Sequence, residues 1–289
     1  MIEDFYYLDE GKVTITAASV GISKLRWKAV SVEDANFGRH IDMMKTGRFD
    51  HLPIVNNNGS INEYFKTEIV NDYENIVRHK IYHTDTLPLD TLIRDVINKF
   101  STTHRTFYFL TYQKKITGLI TLGNLNCKQV QIYIFSLICD LERNLADFVN
   151  LSLTPCEIKE YIKKKSEIKK KEAIKYIKML EDYNKLISLD LENNFTEHFF
   201  FVDFFNIIKD KSLFAFLNLN KAEWANLSSI NEIRMRIAHP TRSLIDDKNN
   251  IIKLGERLNK IDDLLFRLAK FIEENSNNLN QNSKKLLTN

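Results

Sequence analysis

Cysteine is nearly absent from this 289-residue chain: Cys127, Cys139 and Cys156 are odd in number and form no CxxC pair. Such a set excludes a disulfide framework and a zinc knuckle, and leaves buried thiols as the simplest account. Long apolar runs are missing too. No window approaches the ~18 uninterrupted apolar residues of a membrane span, and the opening MIEDFYYLDEGK lacks the basic and apolar regions of a secretory signal. A cytoplasmic protein without membrane association is expected. An excess of one charge is also lacking, because 41 Lys and Arg face 38 Asp and Glu for a net +3, too little to argue for nucleic acid by itself. What is there, 44% hydrophobic and 27% charged residues, suffices for a buried core, and the length favours two domains.

Glycine divides the chain. Seven of the eight glycines lie at or before Gly123, and only Gly255 lies beyond it. The same half holds the β-type runs KVTITAA, HLPIVN, RTFYFLTY and ITGLITL, bounded by turns such as Asn57-Asn58-Gly59 and Gln113-Lys114-Lys115. From Lys128 onward apolar residues recur at helical spacing, as in Ile132, Phe135, Leu137, Leu141, Leu145 and Phe148, and later Leu254, Leu258, Ile261, Leu264 and Leu268. Thr154-Pro155 reads as a helix start and His239-Pro240 as a helix end. Helices are expected near 128–151, 155–187, 199–210, 221–239 and 246–275. The reading is thus an α+β chain: a mixed α/β part over 1–126, an all-α bundle over 127–275, and a polar, Asn-rich, disordered tail over 276–289.

The first half repeats itself. Segment 27–67 runs strand WKAVSV, helix NFGRHIDMMKTGR, strand DHLPIVN, turn and strand SINEYFKT; segment 81–124 follows the same order through RTFYFLTY and ITGLITLGNLN. A period of roughly fifty residues implies two similar modules packed together. Phe49-Asp50-His51-Leu52-Pro53-Ile54-Val55 and Gly118-Leu119-Ile120-Thr121 with Asn124 resemble the strand signatures of a tandem CBS-domain pair, a Bateman module, over residues of about 10 to 126. The chain departs from that pattern at Glu63, where glycine is usual, and at Asn124, where aspartate is usual. The resemblance implies an adenine nucleotide (AMP, ATP, S-adenosylmethionine or a cyclic dinucleotide) in the cleft as a regulatory ligand, with no cofactor required for chemistry. Thr121 would then meet a phosphate and Asn124 a ribose hydroxyl, with His51 and Pro53 shaping the cleft and His104 and Arg105 as phosphate contacts. A purely structural module, in which Thr121 is a β-branched strand residue, stands beside this.

In the second half, Ile-Asn-Glu-Ile-Arg-Met-Arg-Ile-Ala-His-Pro at 230–240 sets two arginines and a histidine on one helix. A guanidinium can stabilise charge on a pentacovalent phosphate, and an imidazole can move a proton near neutral pH, so the set suits phosphodiester cleavage. No Asp, Glu or His cluster has metal-ligand spacing. Arg234 to His239 resembles the R-x4–6-H motif of the HEPN superfamily, a helical-bundle group with many metal-independent ribonucleases. Asp140-Leu141-Glu142-Arg143 resembles its first bundle helix, in which an acidic residue such as Glu142 can support the arginine. The chain departs from the active pattern at Met235, where a polar residue is usual. Residues five apart on a helix point about 140° from each other, whereas Arg236 and His239 are about 60° apart, so Arg236 is a rival to Arg234. The other account is an ion-paired arginine and a helix-capping histidine.

Between Lys159 and Lys178, apolar Ile158, Tyr161, Ile162, Ile168, Ile174 and Ile177 are expected to form a buried stripe under a basic face. That face could gather RNA phosphates or simply be solvated. The run His198 to Phe205 is expected in the bundle core or a dimer interface. The leading expectation is a homodimeric, nucleotide-gated HEPN-type endoribonuclease acting on RNA. A non-enzymatic nucleotide sensor whose helical part dimerises or recruits a partner is the alternative, and a toxin held by a separate antitoxin is a third reading.

Overall fold

The computed structural model describes residues 14–70, 73–168, 171–189, 194–239 and 243–286. It divides into two compact units, Met1–Tyr133 with Ser243–Gly255, and Ile134–Arg242 with Glu256–Asn289. The first is mixed α/β and the second helical, as the glycine and periodicity patterns require. The boundaries after Tyr133 and after Gly255 fall inside continuous helices, whereas the sequence reading divided the chain once, near residue 126.

The α/β unit opens with α1 (Ala17–Val20) and β1 (Ile22–Ser23). Of the strand expected at KVTITAA, Lys12 and Val13 lie outside the described residues. Thr16 makes only an isolated bridge to Leu92, and Ala17 onward is helical. The first repeat then runs β2 (Val30–Ser31), α2 (Val32–Asn36), α3 (Arg39–Gly47), β3 (His51–Val55), β4 (Ile61–Val70) and β5 (Tyr73–Lys80). The second runs β6 (Thr86–Pro88), α4 (Ile93–Thr103), β7 (Phe107–Tyr112) and β8 (Lys115–Thr121). Two four-stranded sheets result, ordered β2-β3-β4-β5 and β1-β8-β7-β6. In each, the first strand of the repeat pairs parallel with the second, and the second antiparallel with the third. The repeat extends to the connections: α3 and α4 both end on a left-handed residue, Arg48 (φ 50°) and His104 (φ 55°), and the next strand starts three residues later, at His51 and Phe107.

Phe107, Tyr108, Phe109 and Leu110 are all buried, which explains an unbroken apolar run in place of alternation. Tyr108 meets Phe100 of α4 at 5.0 Å, while Phe107 and Phe109 meet Tyr64 of β4 at 5.4 and 5.3 Å. A turn of 3-10 helix, Leu122–Asn126, leaves β8. At its end the Asn126 amide donates to the Ile245 carbonyl (2.9 Å) and accepts from the Ile245 N–H (2.8 Å), as a strand neighbour would.

The helical unit takes most of α5 (Lys128–Ser152), then α6 (Pro155–Ser166), α7 (Lys171–Ser188), α8 (Phe201–Asp210), α9 (Lys221–Leu227), α10 (Ile230–Ile237) and most of α11 (Lys248–Leu286). Pro155 stands in the first turn of α6, where Glu157 accepts from Thr154 N–H at 2.8 Å. Two expected helices are each split. Ser228 and Ser229 hydroxyls donate to the carbonyls of Ala225 (2.7 Å) and Asn226 (3.0 Å), which ends α9 where a helix over 221–239 was expected. Likewise the Ser166 hydroxyl takes the Lys163 carbonyl at 2.7 Å, and a like-charged lysine run follows, so 155–187 is two helices. Helix α11 runs to Leu286, past residue 275, through a stretch without glycine or proline.

The burial pattern also corrects the stripes. Leu254, Leu258, Ile261, Leu264 and Leu268 are buried as expected. On α5 the buried set is Ile134, Ile138, Leu141, Leu145 and Phe148, with Ile132 and Phe135 exposed. Ile158, Tyr161 and Ile162 are buried, but Ile168, Ile174 and Ile177 are exposed, because the break between α6 and α7 lets Ala173, Tyr176 and Met179 form the inner face of α7. Of the aromatic run, Phe199, Phe201, Phe204 and Phe205 are core and Phe200 is exposed.

Asp203 of α8 is fully buried, accepting from Phe200 N–H (2.9 Å), Tyr176 hydroxyl (3.1 Å) and the Lys175 ammonium. Seven residues on, Asp210 accepts from the Tyr161 hydroxyl (3.1 Å) and pairs with Lys165 (2.9 Å), so two carboxylates hold α6 and α7 on α8. Removing one partner of a buried pair leaves the other charge uncompensated. Asp203→Ala is therefore expected to lower the unfolding free energy by about 3 kcal/mol or more in urea titration, with Lys163→Ala, an exposed position, as the near-neutral control.

Candidate functional site

Two groups of side chains carry chemistry. In the α/β unit the strand registers align the repeats: His51 opposes Lys66 as Phe107 opposes Thr121, so Lys66 stands where the second repeat has Thr121. The equivalent residues His51 and Phe107 touch, with ring centroids 3.7 Å apart, and Tyr64, Phe107, Phe109 and Leu119 form one buried cluster between the sheets. His51 Nε2 is buried without a hydrogen-bond partner. Burial, with Lys66 and His79 adding to it, lowers the imidazole from its ordinary 6.5 to about 4, so the ring is neutral. Burial likewise pushes the Tyr64 hydroxyl up to about 12, with the Asp85 carboxylate adding. Pro53 is buried in β3 and pairs with Tyr64.

The polar groups of this region bond to one another. Asn124 Oδ1 accepts from Thr121 N–H (2.8 Å) and from the Thr121 hydroxyl (2.9 Å), closing the turn after β8. Arg105 pairs with Asp85, a carboxylate only 6% exposed that also accepts from Tyr82 N–H at 2.7 Å. The Arg105 guanidinium lies over the Tyr108 ring at 5.7 Å. In the first repeat Lys66 is tied to Glu68 at 3.0 Å. The pieces that sequence reading missed are Tyr64, Phe107 and Asp85. The first two signalled themselves only as aromatic strand residues, and Asp85 only as an acidic residue in a turn.

In the helical unit, Ile230, Ile233 and Ile237 bury one face of α10, and Arg234 and Arg236 are half-buried. Arg234 lies close enough to Glu142 of α5 to favour its ionised form, against burial, which is the larger effect and raises that carboxyl. Arg236 also has an interaction partner. His239 lies exposed beyond the end of α10, and among the described residues no hydrogen bond or ion pair engages its side chain. Met235 is 44% exposed. Among the described residues no three His, Cys, Asp or Glu side chains gather in a metal-binding arrangement, and no helix is long and apolar enough to cross a membrane.

No protein-family model matches the chain, and no curated protein does. Sixteen solved chains match it. They include CBSX2 in complex with AMP (12% identity, 42% of this chain and 99% of that one, TM-score 0.31). A hemolysin-like protein containing a CBS domain from Oenococcus oeni PSU gives 14% identity over 38% of this chain and 87% of that one, TM-score 0.28. A conserved CBS-domain protein from Thermoplasma acidophilum gives 16% identity over 39% and 67%, TM-score 0.29. The structural neighbours thus include CBS-domain proteins, and at these scores they assign neither family nor function.

His51 sets a pH dependence. Its folded-state pKa lies below the unfolded value, so between pH 6.5 and about 4 the unfolded chain holds the extra proton and stability falls as pH drops. The loss attributable to His51 is about 3 kcal/mol across that window. In His51→Phe, which keeps the stack on Phe107, denaturant unfolding at stepped pH is expected to give a shallower acid limb by that amount; an unchanged slope refutes it.

Proposed function

We propose that the chain is a nucleotide-regulated, metal-independent endoribonuclease of HEPN type, acting as a homodimer, whose tandem CBS-like repeat senses an adenine nucleotide. The observation that carries the catalytic part is the electrostatic influence on the Glu142 carboxyl of Arg234, on the helix that ends beside an exposed His239 whose side chain has no hydrogen bond or ion pair among the described residues. Glu142 would help to hold the Arg234 guanidinium at the phosphate, and Arg236, nearer to His239 by helical spacing, is the alternative. In the reaction the 2′-oxygen of RNA attacks the adjacent phosphorus while its proton passes to a base. The P–O5′ bond breaks, the leaving oxygen takes up a proton, and a 2′,3′-cyclic phosphate remains. His239 moves a proton and Arg234 stabilises charge on the phosphoryl oxygens. The regulatory part is supported by the shared order and connections of the two sheets, as in a duplicated module. A sensor without catalysis is favoured by one feature, the thioether of Met235 at the position after Arg234.

Full-length protein is expected to cut labelled RNA in EDTA, leaving cyclic phosphate ends and sparing DNA, with His239→Ala slower by roughly 10²–10⁴-fold. Arg234→Ala should fall alongside it, and Arg236→Ala should retain more activity than Arg234→Ala. Wild-type protein that cuts no RNA with or without nucleotide leaves the sensor reading.

One of AMP, ATP, S-adenosylmethionine or a cyclic dinucleotide is expected to raise the melting temperature, and Thr121→Trp to abolish the shift, since a ligand held only by the folded state stabilises it. No shift with any of the four would make the repeat purely structural.

A further inference from the structure

Gly255, the one glycine after Gly123, faces Ser101 of α4: a Cβ built on it would lie 2.5 Å from Ser101 Oγ and 2.8 Å from Ser101 Cβ. No ordinary side chain fits there, so the glycine permits a close approach of the first turns of α11 to α4. Ser101 lies in the last turn of α4, just before His104 and Arg105, the partner of Asp85. A second tie joins α11 to the same unit. The turn that bears Thr121 and Asn124 ends on Asn126, whose amide grips Ile245 through the paired bonds, three residues before α11 begins. Both groups of proposed ligand contacts therefore connect within a few residues to the start of α11.

The same helix continues without a break into the helical unit. Two residues after Gly255, Arg257, whose side chain is 14% exposed, pairs with Glu232 of α10. One turn further, Lys260 donates to Asn226 Oδ1 (2.9 Å), the Asn226 carbonyl (3.3 Å) and Ser229 Oγ (3.1 Å), where α9 gives way to α10. Glu232 and Ser229 stand two and five residues before Arg234. From Gly255 to Lys260 the helix rises about 7.5 Å.

We propose that α11 is the coupling element of the protein. The Ser101–Gly255 contact and the Asn126 clamp read the state of the repeat, and Arg257 and Lys260 set the position of α10 and its Arg234. The proposal rests on the functional reading above for the identity of the two sites, but the mechanical link does not need a nucleotide to be tested.

Hydrogen exchange on the full chain reads it directly. Gly255→Ala is expected to speed exchange of the α10 amides roughly tenfold, with the change reversed when Ser101→Gly is added and with α6 unaffected. A change confined to α4 and residues 243–255 overturns the proposal. Should Gly255→Ala fail to fold, Asn126→Ala is read in the same way: faster exchange in α10 supports the link, and an effect limited to 121–133 and 243–255 refutes it. With wild type, AMP, ATP, S-adenosylmethionine and a cyclic dinucleotide are each added. A nucleotide that protects 121–126 but leaves α10 unchanged also refutes the link, whereas no effect of any of the four sinks nucleotide sensing and leaves the variant results to decide the coupling.

Discussion

The α/β unit depends on one packing event, the burial of Tyr64 and His51 of one sheet against Phe107 and Phe109 of the other. Each sheet has a second face covered by its own helix, through Met44, Leu52, Ile54 and Phe65 in the first repeat and Phe100 with Tyr108 in the second. What remains apolar after that is the face each repeat turns to its duplicate. Because His51 and Phe107 occupy equivalent positions and touch, the two repeats meet about a local two-fold relation. The ring nitrogen without a partner is the cost of placing a histidine there, and the lowered pKa is how the ring tolerates it.

How much was legible follows from which forces act locally. The second-unit heptads, the Thr154-Pro155 start and the duplicated helix–strand–turn–strand order rest on periodicity and turn chemistry, which sequence carries directly. β5 did not: Tyr-Glu-Asn-Ile-Val-Arg-His-Lys lies at a sheet edge, largely exposed, and has no apolar alternation to announce it. The splits at Ser166 and at Ser228-Ser229 come from hydroxyls competing for helix carbonyls, a choice that sequence permits but does not compel. Among site residues, Arg234 and Glu142 were singled out by motif resemblance. Asp85 as the partner of Arg105 could not, since the two are twenty positions apart and meet only once β6 and β7 are paired.

The buried carboxylates of the two units share one design. Asp85 and Asp203 each accept a backbone N–H three residues earlier, at the start of a helical turn, and each also takes a cation from another element, Arg105 or Lys175. A carboxylate used twice in this way is both cap and crosslink, and its buried oxygens are met by donors on two sides. In the helical unit the pair is far in sequence from Arg234 and His239 and serves architecture. In the α/β unit it sits on the path from α4 to β7, where the nucleotide reading needs a free cation.

That difference shapes how a ligand would act. Thr121 and Asn124 are bonded to each other, and Arg105 is bonded to Asp85 through Nη1, so a phosphate that took the Thr121 hydroxyl or that guanidinium N–H would displace an existing partner. Each exchange trades one charge-assisted or neutral hydrogen bond for another, so the net gain per bond is small and affinity is modest unless the base finds aromatic contact. The same exchange moves the turn that ends on Asn126 and the end of α4 at Ser101. Binding and conformational change would then be one event, because a ligand shifts an equilibrium only by its differential interaction with the two states, and the bonds it would replace are the ones that close the Thr121 turn and tie Arg105 to Asp85.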